Sequence, residues 1–135
     1  MFVAILPYIE QANAYTAATK RNNTHLKEIR ACLPEETSDF SWEQDLKFHA
    51  AVARATTNFF RLHVIMDIFE FTREFIGPVV EDLAGKEDNA GTIAGHHTAI
   101  FLAIKDKDPD RARETMKAHL AWTNQKLIET LKKKG

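Results

Sequence analysis

Apolar residues recur at three- and four-residue spacing along almost the whole chain, and no segment of useful length alternates as a strand does. That periodicity confines the fold to packed helices. A first helix is predicted over roughly residues 2–20, broken by the Asn22–Asn23–Thr24 stretch. A second covers about residues 24–34, with Leu26, Ile29 and Leu33 inward and Pro34 as its stop. After the PEETSDF loop, Ser41 is placed as the N-cap of a third helix, with Gln44 at the capping-box position. This helix is expected to end at about Thr57.

The fourth helix, about residues 58–76, is dense in Phe, Leu, Ile, Val and Met, and Gly77–Pro78 is expected to interrupt it before a further turn to Leu83. The polar GKEDNAG segment follows. A fifth helix fills about residues 91–105, and Asp108–Pro109, an N-cap followed by proline at the first helical position, starts the last. Six helices with short connectors make an all-α antiparallel bundle. At 135 residues the chain has room for one domain, taken as residues 1–135.

Composition narrows function by exclusion. With 18 basic and 19 acidic residues the net charge is −1, which offers no general attraction to phosphates or anionic membranes. The Lys132–Lys134 run reads as a solvated helix end. No run approaches the ~18 apolar residues of a membrane span, and the opening MFVAILPYIE lacks the basic flank of a signal peptide. A single cysteine, Cys32, rules out an internal disulfide framework and reads as a core thiol in a reduced, cytoplasmic setting.

The informative polar residues lie on faces that should be buried. Asp45 and His49 are four apart on the third helix and stack on one face, flanked by Phe48 and Val52 and continued by Thr56. His97 sits in the middle of the Ile93, Ala94, Ile100, Phe101, Ile104 stripe, whereas His96 falls on a less apolar side. His119 joins the Ala112, Met116, Leu120, Thr123, Leu127 face of the last helix. An inward carboxylate is expensive unless paired. A core histidine accounts for any one of these residues, and a lysine or arginine partner accounts for Asp45. The coincidence of three imidazoles and a carboxylate points to a divalent ion such as Zn²⁺, Ni²⁺, Mn²⁺ or Fe²⁺. His25, near a helix start, is expected to be exposed, and His63, among Phe59, Phe60 and Met66, to be core or pocket wall.

The stretch DLKFHAAVARATTN resembles the first signature of the FCD domain, the effector-binding half of many GntR-family bacterial transcriptional regulators. HHTAIFLAIKDKDPDRARETMKAHL resembles the second. The likeness runs from about Ile9 to Leu131. It implies a metal, often zinc or nickel, held by Asp45, His49, His97 and His119, a small carboxylate effector, and a homodimer whose geometry the effector shifts. The Phe-rich fourth helix suits such a dimer interface. Thr56, Asn58 and Arg73 are the effector-contact candidates, although Arg73 is equally accounted for as an exposed helix residue. Where the family often has an arginine shortly before a glutamate matching Glu10, this chain has Leu6 and Pro7. In that family DNA is read by a winged helix-turn-helix, which these 135 residues do not contain, so this chain alone is not expected to read DNA. The competing readings are a small metalloenzyme using the same site and a structural dimerisation bundle.

Overall fold

A computed structural model describes the backbone of residues 2–34, 40–86 and 88–134 and the side chains from Leu6 to Lys133 within those segments. Six helices follow one another: α1 (Phe2–Lys20), α2 (Asn23–Ala31), α3 (Trp42–Arg54), α4 (Phe59–Ala84), α5 (Asn89–Lys105) and α6 (Pro109–Lys134). Among the described residues there is no strand. Most of the PEETSDF loop lies outside them.

Local chemistry sets the boundaries. Asn22 and His25 form a reciprocal cap on α2, with His25 N–H donating to Asn22 Oδ1 at 2.9 Å and Asn22 N–H to His25 Nδ1 at 3.1 Å. Ser41 Oγ accepts from Gln44 N–H at 3.2 Å to start α3. Asp108 Oδ1 accepts from Arg111 N–H at 3.2 Å in the first turn of α6. Two non-glycine residues with positive φ, Thr57 at 59° and Lys107 at 53°, turn the chain after α3 and α5. The α2 helix ends at Ala31, earlier than the Pro34 stop suggested, and Cys32 becomes its C-cap. The Cys32 thiol is only half-buried, against Lys47 O at 3.4 Å, and burial raises its pKa.

The expected break at Gly77–Pro78 does not occur, and α4 runs unbroken from Phe59 to Ala84. Pro78 and Glu74, the residue whose carbonyl loses its partner, both lie on the exposed side, where water satisfies the freed group. Gly77 faces inward and lets the Trp42 ring pack against the helix.

Helices α1 and α6 run antiparallel, as do α3 and α4. Leu6 near the start of α1 and Leu127 late in α6 share one cluster, while Tyr15 further along α1 stacks under Arg113 early in α6. Similarly Trp42, first in α3, meets Phe69 and Gly77 late in α4. Two hydrophobic clusters result. One gathers Ala14, Ala17, Ile29, Phe48, Val52, Ile104 and Met116; the other gathers Leu6, Trp42, Ile65, Phe69, Leu83 and Leu127. No described helix is long and apolar enough to cross a membrane.

A methyl group added at Gly77 would meet the Trp42 ring at 3.5 Å, ordinary van der Waals contact. Gly77→Ala is therefore expected to stabilise the protein by about 0.5–1 kcal/mol, read from the denaturant midpoint. A lower midpoint would show that α4 needs the glycine for closer packing than this.

Candidate metal centre

Between the two hydrophobic clusters lies a polar centre assembled from three helices and backed by a fourth. Helix α3 contributes Asp45 and His49 on one face, α5 contributes His97, and α6 contributes His119. One ligand atom from each residue lies within 4.8 Å of the others. His49 Nε2 stands 3.2 Å from Asp45 Oδ1 and His97 Nε2 stands 3.5 Å from the same oxygen. The His97 ring plane is 89° from that of His49 and 77° from that of His119, while the His49 and His119 rings lie within 17° of parallel.

Each ring is held from behind. Glu10 of α1, fully buried, places Oε2 against His49 Nδ1. That contact puts the Nδ1 proton toward Glu10 and directs Nε2 to Asp45. Phe48 stacks flat on His97, with centroids 3.9 Å apart and planes 5° apart. His96 Nδ1 meets His119 Nδ1 at 3.1 Å, which leaves His119 Nε2 to act as a ligand.

The environment separates the three imidazoles electrostatically. Burial alone would depress the His49 pKa, but Glu10 and Asp45 reverse this and push it up to about 10. His97 and His119 are held well below the ordinary value, first by burial and then by neighbouring imidazoles, so both stay neutral with lone pairs available. These residues fit a divalent ion. His97 Nε2 is a buried atom without a hydrogen-bond partner among the described residues, and three imidazoles with one carboxylate suit a borderline ion. Donors around an ion with bonds of about 2.1 Å sit roughly 3–4 Å apart, so the group needs only a small contraction.

An apolar cavity adjoins the centre, with Glu10, Asp45, His49 and His119 at its polar end and Leu6, Ile76, Val80 and Leu127 among its walls. None of Thr56, Asn58 and Arg73 lines it. The buried Thr56 hydroxyl donates to Ala53 O at 2.6 Å and accepts from Asn58 N–H at 3.1 Å. Asn58 caps α4 through Arg61 N–H. Arg73 is held at the surface by Glu43 and Glu70. His63 is exposed and meets Phe59 edge-to-face, with ring planes 66° apart, away from the core or pocket wall where it was expected.

Two participants escaped face analysis as site residues. Glu10 had a visible signal, since it shares a helix face with Leu6, Asn13, Ala14 and Ala17. His96 had none, because it leaves the apolar stripe and reaches His119 only through the packing of α5 on α6.

The geometry defines an all-helical domain with a buried His–Asp cluster and an adjoining cavity. The FCD domain profile matches residues 4–121. The chain belongs to the FCD domain family. It is also similar to a protein of Escherichia coli (strain K12) named as an L-lactate dehydrogenase operon regulatory protein, with 25% identity over 119 residues. The match covers 86% of this chain and 46% of that protein. The same name and figures hold for a protein of Shigella flexneri. The chain thus spans slightly under half the length of these relatives. Family and relatives together mark it as a regulatory, effector-binding type of domain.

In the metal-free protein, Glu10→Gln is expected to lower the His49 pKa from about 10 by about one unit or more, because one of the two neighbouring carboxylate charges is removed. The chemical shifts of the His49 ring nitrogens across pH report this. An unchanged titration would mean that Asp45 alone raises it.

Proposed function

We propose that this domain binds a divalent ion, Zn²⁺ or Ni²⁺ foremost and Mn²⁺ or Fe²⁺ as alternatives, through Asp45, His49, His97 and His119. It would hold a small carboxylate effector beside the ion and pass the binding signal on as the sensing half of a cytoplasmic GntR-type transcriptional regulator. The observation that carries this reading is the convergence of four donor atoms within 4.8 Å inside an FCD bundle. A bound ion would supply a fixed positive charge and a coordination position open to an oxygen ligand. The chain's own residues would do the rest. Glu10 orients His49, Phe48 fixes the plane of His97, and the hydrocarbon walls exclude water. Because Glu10 and His119 lie on helices that pack along each other, an effector that favours one spacing of α1 and α6 shifts the population of that state. DNA contact in this reading belongs to a winged-helix partner domain and not to these helices. The names of the relatives, which regulate an operon, support the transcriptional output.

The metal reading is tested by elemental analysis and by calorimetric titration of stripped protein with Zn²⁺ and Ni²⁺. His97→Ala is expected to weaken affinity by more than the roughly 10–100-fold typical of losing an outer-shell partner, and Glu10→Gln to fall within that range. Purified or reconstituted protein without stoichiometric metal would overturn the assignment.

A homodimer through α4 completes the proposal. Phe60, Phe71 and Phe75 fall on its outward side and are 76%, 82% and 74% exposed, a concentration of apolar surface that marks a contact site. Phe71→Glu with Phe75→Glu is expected to convert a dimer to a monomer in sedimentation at tens of micromolar, roughly the range in which moderate dimers populate. A wild-type monomer under those conditions would remove the dimer from the reading.

A further inference from the structure

The cavity beside the cluster joins two unlike surfaces. Its polar end carries the carboxylates of Glu10 and Asp45, and the remainder is largely hydrocarbon from Leu6, Ile76, Val80 and Leu127. No lysine or arginine lines it among the described residues. Two wall groups also lack hydrogen-bond partners among the described residues: the Trp42 Nε1–H and Asn124 Oδ1. Trp42 is 5% exposed, and an indole N–H without an acceptor is costly to bury.

Charge counting then discriminates among anions. Glu10 and Asp45 bring two negative charges, and a divalent ion cancels both without leaving a positive surplus. One further carboxylate makes the buried site singly negative. A second carboxylate on the same ligand would have to enter hydrocarbon with no cation to meet it. A hydrocarbon body has the opposite preference, since each methylene buried adds about fourfold to affinity. Size sets the upper limit. The cavity offers about 60 Å³ to the centre of a water-sized sphere, room for roughly four or five waters.

We propose that this cavity selects a short monocarboxylate with a hydrocarbon body, about three to six carbons by that volume, over di- and tricarboxylates, and that Trp42 donates a hydrogen bond to it. The selectivity deepens the effector reading and rests on the cluster being a metal centre.

The test uses the whole chain reconstituted with zinc, its zinc content measured first. Pentanoate and glutarate share a five-carbon chain and differ only in the second carboxylate. Calorimetry is expected to show pentanoate binding at least about tenfold more tightly than glutarate, and propionate weaker than pentanoate by about fourfold per methylene removed. Trp42→Phe keeps an aromatic body and loses the N–H. It is expected to weaken pentanoate about tenfold while zinc affinity stays within about twofold. Glutarate binding as tightly as pentanoate, or no pentanoate binding at all, overturns the proposal. Unchanged pentanoate affinity in Trp42→Phe overturns the role of Trp42. If zinc fails to bind, the metal reading falls and the proposal with it, whereas zinc binding without a preference for pentanoate overturns the selectivity alone.

Discussion

The buried chain of contacts from Glu10 through His49 to Asp45 is the constraint on which the rest of this structure depends. Two carboxylates inside a small bundle are costly, and a single imidazole between them is what the fold provides to offset that cost in the absence of an ion. Holding the three groups together requires α1 and α3 to approach closely. Small side chains serve this, since Ala14, Ala17 and Ala18 of α1 share one buried cluster with Ala51 of α3. Larger residues on these faces would separate the helices and leave charges unpaired.

The same constraint explains the electrostatic asymmetry of the histidines. His49 sits between two anions and holds a proton; burial and neighbouring imidazoles keep His97 and His119 neutral, although His97 also lies beside Asp45. The proton on His49 Nε2 points at Asp45, a region where a cation would serve the same carboxylate. In the proposed metal-bound state, the ion would take the place of that proton.

Function is distributed unevenly over the bundle. Helices α1, α3, α5 and α6 carry the polar centre, while α4 contributes Phe69, Ile76 and Val80 to the walls on one side and exposed phenylalanines on the other. That double role gives α4 a physical route between the cavity and whatever covers its outer face. This domain therefore has its candidate metal cluster and its proposed contact surface on opposite sides of one helix.

Much of this was legible in the sequence, for a simple reason. Periodicity of 3.6 residues reports which side of a helix is buried, so six helices and the inward positions of His49, His97 and His119 follow from spacing alone. Capping residues such as Ser41 and Asp108 act over three or four positions and are equally local. Depth, partner and register between helices are not local. Only the packed structure places Glu10 behind His49, brings His96 to His119, closes Thr56 and Asn58 into a turn, and pairs Arg73 with Glu43 at the surface. It also carries α4 straight through Pro78, because the freed carbonyl happens to face solvent. The sequence by itself determined which residues must hide. Tertiary structure decided what each one meets there, since that depends on contacts between residues far apart in the chain.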